Sequence, residues 1–155
     1  MKKTLIGITL LSVIILTGCS STFCKPEKAE IDSLNKQISS MNLDLQEKCA
    51  KQSSTFFKEN YTFEKKTGET WLNDYENHYN KKLNKCFIQI EQHYITSDMS
   101  TKSKALIDVF ENKSLGGYSS LTKNSEEKMI DCNVENNFCK SEFEFKNLVK
   151  SYMEE

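Results

Sequence analysis

Two residue types in this chain could do chemistry: six cysteines, at positions 19, 24, 49, 86, 132 and 139, and two histidines, His78 and His93. A thiol serves as a nucleophile, a metal ligand or half of a disulfide, and spacing helps to separate these roles. Cys132 and Cys139 flank "NVENNF", whose Glu135-Asn136-Asn137 centre reads as a turn, so a bridge across a hairpin is expected there. Cys49 and Cys86 are expected to pair over a longer loop, with Cys24 left over. Zinc is the rival reading of these cysteines. C-x6-C is a poor zinc knuckle and no second close pair exists, so no metal and no other cofactor is expected.

His93 falls beside Glu91 on the polar side of an alternating segment, where it reads as a solvated sheet residue. His78 sits in "YENHYN", where it reads first as a structural histidine hydrogen-bonded near a hairpin turn; the alternative is a polar-aromatic cluster with Asn77, Tyr75 and Tyr79, to which Trp71 adds a further ring. Rings beside amides suit a sugar or a peptide, so Trp71, Tyr75, His78 and Tyr79 are the candidate binding surface. A Cys-His nucleophile would need a free thiolate near His78. Cys86 is the nearest thiol in sequence, and the bridge claims it. The acids of "YENHYN" and "IEQHYI" read as solvated charges before they read as a general acid and base. No GxSxG, HExxH, phosphate-loop or dinucleotide motif is present, and no catalytic residue is assigned.

Several elements must position these groups. In "EKAEIDSLNKQISSMNLDLQEKC", Ile31, Leu34, Ile38, Met41 and Leu45 recur at alternating spacings of three and four. That is a heptad stripe which slips at Cys49. It either pairs with another copy or lies against its own domain; packing on its own domain, or a spacer helix, is preferred, since two heptads are marginal alone. "CFIQIEQHYI" alternates as a strand, with Cys86, Ile88, Ile90 and Tyr94 inward and Phe87, Gln89, Glu91 and His93 outward. The segment before it is ambiguous, because Trp71, Tyr75 and Tyr79 fall four apart as on a helix. Ala105, Ile107 and Val109 share one face of a further strand pair, Gly116-Gly117 marks a bulge or bend, and "TKNSEEK" is a polar loop. The Lys pairs at 65–66 and 81–82 keep loops soluble. Ser141-x-x-Glu144 is a capping box that opens a final helix carrying Phe145, Leu148, Val149, Tyr152 and Met153.

The chain opens "MKKTLIGITLLSVIILTGC". Lys2 and Lys3 precede an apolar run, Leu5 to Leu16, of signal-peptide length and too short to span a bilayer. Leu16-Thr17-Gly18-Cys19 resembles the lipobox of bacterial lipoproteins. The resemblance implies cleavage before Cys19, diacylglycerol on its thiol and acylation of its new amino group. Small Thr17 and Gly18 would let a peptidase approach the backbone, and two or more acyl chains give stable anchoring. Ser20 implies outer-membrane delivery, facing the periplasm, if the cell is Gram-negative. Residues 19 to about 46 resemble the opening of the murein lipoprotein family, a lipidated cysteine followed by a trimeric coiled coil. That family ends in a lysine joined to peptidoglycan, whereas this chain ends Met153-Glu154-Glu155, so wall attachment is not implied.

Residues 49 to 155 resemble a recurrent group of small exported bacterial proteins, through Cys49, "NHYNKKLNKCF", "DVFENK" and the cysteine pair before "EFKNLVKSYM". That resemblance supports the same disulfide pairing and a single domain, and implies no activity. Loss of the leader removes two lysines and no acid, so the mature chain is more acidic than the −1 of the whole. All 21 basic residues are lysines, which removes the guanidinium fork used to read phosphate and guanine, so no nucleic-acid partner is expected.

The expected organisation is a signal peptide at 1–18, a lipidated tether at 19–26 with Pro26 suited to a helix start, and one α+β domain at 27–155. Within it a helix covers 27–57, an antiparallel sheet of about four to six strands covers 71–139, and a helix covers 141–153. Both helices are expected on one face, with the fold stapled by disulfides. The expected role is a membrane-anchored, non-enzymatic envelope protein that binds another protein or a cell-wall component. A periplasmic inhibitor or immunity lipoprotein and a glycan-acting enzyme are the alternatives.

Overall fold

The structure, a computed structural model, describes residues 28–62 and 67–154. The leader, the lipobox, the tether with Cys24 and Pro26, and the Lys65–Lys66 pair lie outside the described residues. Two helices and six strands follow in the order α1 (Lys28–Asn60), β1 (Thr70–Asn80), β2 (Lys85–Ile95), β3 (Met99–Asp108), β4 (Lys113–Lys123), β5 (Glu126–Val134), β6 (Asn137–Phe138) and α2 (Glu142–Met153). The strands form one antiparallel sheet in sequence order, so the expected α+β class and strand number hold.

Residues up to Lys36 group as one unit and residues from Gln37 as another. In the first, Ile31 and Leu34 are exposed. In the second, Ile38 and Met41 are also exposed, while Leu45 packs against Cys49, Tyr79 and Cys86. Within the second unit, Leu45 is the stripe residue that packs on the domain's buried residues. Past the slip, Cys49 and Ser53 are the buried residues of α1, and Ser53 Oγ lies 3.5 Å from Cys86 Sγ.

The placement of the helices differs from expectation. Both side-chain parities of β2 are buried at its first half. Cys86, Ile88 and Ile90 face α1, where Ile88 and Ile90 pack with Phe56 and Phe57. Phe87 is only 1% exposed and packs with Phe145 and Val149 of α2. Because successive strand residues point to opposite faces, the helices cover opposite faces of the sheet. Phe87 belongs to the core under α2, and its assignment to solvent fails. A strand sandwiched between two helices reads apolar on both parities where both cover it.

Local chemistry closes the turns. Asn80 Oδ1 accepts from Leu83 N–H at 3.0 Å, and Tyr79 O–H donates to Asn84 Oδ1 at 2.7 Å, holding the β1–β2 hairpin. Asp108, fully buried, accepts from the N–H groups of Phe110 and Glu111 and takes Lys85 Nζ at 2.7 Å. The expected polar loop "TKNSEEK" shrinks to a two-residue turn, Asn124-Ser125, both with positive φ as a primed hairpin turn requires. Gly116 marks the expected bulge: Leu106 opposes Gly116 while Ile107 opposes Ser114, and a Cβ on Gly116, at φ 153°, would run into the Asn133 carbonyl. Ser141 caps α2 by accepting from Glu144 N–H, while the Glu144 carboxylate accepts from Lys140 N–H.

Both expected bridges form. Cys49–Cys86 joins α1 to β2 across 37 residues, and Cys132–Cys139 closes the β5–β6 hairpin across 7. Loop-closure entropy ranks them. Replacing both members of the first pair by serine should lower the unfolding free energy by about 4 kcal/mol, and of the second by about 2 kcal/mol, read from urea midpoints. Equal losses would contradict the ranking.

Candidate functional site

The four residues of the candidate surface all lie on β1, which is a strand and not a helix. Spacing by four fits both, since odd-numbered strand residues also share a face. Trp71, Tyr75 and Tyr79 oppose Tyr94, Ile90 and Cys86 and so lie on the α1 face. His78 opposes Phe87 and lies on the α2 face. The strand brings three of the four together and sends the histidine to the other side.

Their surroundings differ. The Trp71 ring tilts on Tyr94 with centroids 4.5 Å apart, and Tyr75 meets Phe57 at the same distance. Tyr79 is a core residue, 5% exposed, seated on the Cys49–Cys86 bridge. Its ring anchors the hairpin turn and is not offered to a ligand. His78 is half-buried, and its Nε2 meets no hydrogen-bond partner among the described residues.

A shallow groove of about 730 Å³ runs over the α1 face of β3–β5, lined by Ala105, Ser114, Gly117, Asp131, Asn133 and Asn136 among others. Ala105, Gly117 and Asn133 stand in register across three strands and floor it. His78 is on the opposite face of the sheet, so no histidine enters this groove. Among the described residues no group of three or more His, Cys, Asp and Glu side chains is placed to hold a metal ion. No described helix is long and apolar enough to cross a membrane.

The most developed polar cluster lies on the α2 face, and two of its members, Glu91 and His93, read in the sequence as solvated. Lys104, whose side chain is 4% exposed, reaches both Glu91 on β2 and Glu142 at the start of α2. Lys102 also pairs with Glu142, at 2.8 Å, and His93 Nε2 lies 2.9 Å from Glu91 Oε1. Burial pushes the Glu91 carboxyl upward, but hydrogen bonds from Lys104 and His93 and the charges of Lys104 and Lys102 overcome it and hold it at about 2. Burial also opposes ionisation of Glu142, and Lys102 and Lys104 bring it below the ordinary carboxylate value. Nothing local in "IEQHYI" signals this network, because its lysines arrive from β3 and its second carboxylate from α2, far along the chain. The cluster is a clamp: it neutralises a buried lysine and ties the α2 N-terminus to the sheet.

β1 has one further property. It pairs only with β2, in eleven consecutive register partners without a shift. Tyr75 N–H donates to Asp74 Oδ1 at 2.8 Å, so it points away from the β2 ladder. By the alternation of antiparallel pairing, the N–H and C=O groups of Asn73 and Asn77 point outward as well. The outer edge of the sheet is therefore built into the candidate surface.

No protein-family model, curated protein or solved structure matches this chain.

The clamp has a pH signature. Both carboxylates titrate below their ordinary value in the folded chain, so their stabilisation is present above about pH 4.5 and is lost on acidification, for Glu91 as pH falls toward about 2. Glu91→Gln should flatten the acid limb of the urea-midpoint-against-pH curve and lower the plateau above it. An acid limb of unchanged slope in that variant would show that the clamp does not govern acid unfolding.

Proposed function

We propose that this chain is an exported, lipid-anchored envelope protein whose folded domain binds another protein or a component of the cell wall. The observation that carries the anchor is the N-terminal arrangement: two lysines, an apolar run of signal length, and Leu16-Thr17-Gly18-Cys19 at its end. The thiol at Cys19 is the acceptor for diacylglycerol, and the acyl chains supply the membrane affinity. Ser20 directs it to the outer membrane, facing the periplasm, in a cell with two membranes.

The fold supports this address. Four cysteines are consumed in two intramolecular bridges, one of them at the heart of the α1–sheet contact. Disulfides of that kind persist in oxidising compartments and are rare in the cytosol. The binding role rests on the composition and position of β1. Its half-exposed rings, Trp71 and Tyr75, and its exposed Leu72, Asp74, Glu76 and Asn77 line a sheet edge and contain no acid-base pair aimed into a cleft. The domain works by contact.

Intact-mass spectrometry and labelling with an alkyne-bearing fatty acid test the anchor. Wild type should begin at Cys19 and carry the label, whereas Cys19→Ala should keep its leader and take up none. An unmodified sulfur at residue 19, or a retained Met1 in wild type, would overturn the anchor. For the surface, a photoreactive residue at Leu72 should crosslink to an envelope component in cells, and one at Lys128 should not. Crosslinking at Lys128 alone would move the binding surface to the opposite edge.

A further inference from the structure

The two edges of the sheet are built differently. At the β5 edge, β6 pairs with Asn133 and Val134, the ladder to β4 shifts between Ser119 and Ser120, leaving Ile130 as an extra residue, and Lys128 stands in the strand. A short covering strand, a bulge and a lysine are devices that stop an edge from pairing with another chain. β1 carries none of them. Its eleven residues, "TWLNDYENHYN", include no lysine, proline or glycine, and its register with β2 is unbroken. Among the described residues no strand lies outside it. Asn80, at its end, is held by α2 through Ser151 and Tyr152 carbonyls, and the Asn73 side chain donates to the Tyr61 carbonyl; among the described residues no backbone group bonds the outer side of the Leu72 to Asn77 window. Six residues is an ordinary strand length.

The side chains around the window select the occupant. Leu72, Asp74 and Glu76 lie on the α2 face of β1, all exposed. Asp74 opposes Glu91, whose charge is already matched by Lys104 and Lys102. The window therefore presents an apolar residue followed by two acids, neither of which pairs with a cation among the described residues. A second copy of this chain paired antiparallel about the window would set Asp74 against Glu76 or each against itself, and like charges directly opposite destabilise a sheet.

We propose that the β1 edge receives an extended segment of another protein as a seventh strand, with cationic residues at alternate positions over Asp74 and Glu76 and an apolar residue over Leu72. Main-chain bonds to the outward groups of Asn73 and Asn77 supply affinity, and the acids supply selectivity. This deepens the binding role proposed above by naming the partner's form and charge.

The test uses the full lipidated chain in detergent micelles and a capped six-residue peptide alternating lysine and valine, with a glutamate–valine peptide as control. In ¹⁵N NMR, the lysine peptide should slow amide exchange at Asn73 and Asn77 about tenfold. Asn77→Pro removes an outward donor without breaking a β1–β2 bond, so it should keep the fold and weaken binding about tenfold. Asp74→Lys with Glu76→Lys should reverse the preference between the two peptides. Protection of β5 amides instead, equal binding by Asn77→Pro, an unreversed preference, or no binding at millimolar peptide would overturn the proposal. A cellular crosslink at Leu72 that survives Asn77→Pro would overturn strand addition while leaving the binding role intact. Strand addition by a chain that carries no lipid would overturn the anchor alone.

Discussion

The bond between Cys49 and Cys86 is the constraint on which the rest of this fold depends. It fixes one point of α1 to the second strand of the sheet, and the contacts that cover the α1 face radiate from it. Tyr79 sits on it, Ser53 touches it, and Phe56 and Phe57 follow about two turns after Cys49 over Ile88, Ile90 and Tyr75. A helix of this length with so few buried residues has little apolar area of its own to hold it in place. Hydrophobic burial is roughly proportional to area, so the covalent link does what packing alone would do weakly. Next to the bridge, the buried Asp108 organises the β3–β4 turn and takes Lys85, the residue beside Cys86.

The α2 face is secured by different means. Phe145 and Val149 fill a core with Phe87, Leu106, Tyr118 and Val134, and the second bridge lies within the same cluster. At the helix start, Lys104 joins Glu91 and Glu142. A lysine so deeply buried is tolerable only with its charge matched. One face is thus held by a disulfide and aromatic rings, the other by an apolar core with an ionic clamp at its rim.

How much of this could be read in the chain depends on the range of the interaction. The cysteine pairs, the α2 cap and the Gly116 bulge were legible because each is written in a short segment or in residue type. The position of α2 was not. Phe87 in "CFIQI" signals a second buried face, but "QIEQH" beyond it reads as solvated, and only the distant Glu142 and Lys104 reveal that Glu91 is covered. The four candidate residues fall on one element, and the spacing of four that groups three of them does not separate helix from strand, because it keeps residues together in both. His78 exposes the difference, because an even step from Trp71 would be needed to share its face, and seven is odd. Tyr79 shows the other limit. Its type suits a ligand or a core, and only the bridge beneath it decides for the core.

The sheet's sequential order explains why β1 is an edge. Every hairpin adds its strand beside the last one, so the first strand of such a meander has a single neighbour and its other side stays open. The same rule opens the far side, but there the chain returns: β6 pairs with β5, the Cys132–Cys139 bridge closes that hairpin, and α2 follows immediately. Among the described residues no strand pairs with the outer side of β1: the Asn73 side chain donates to the Tyr61 carbonyl and α2 bonds the strand at Asn80, but neither contact uses an outward backbone group of Leu72 to Asn77. Selection against edge pairing leaves lysines, bulges and covering strands, and their concentration at one edge while the other stays straight and acidic follows if that second edge has something to pair with. Backbone groups in water lose nothing by staying exposed, yet eleven residues of unbroken, regular strand at the margin keep those groups in the geometry that another strand requires.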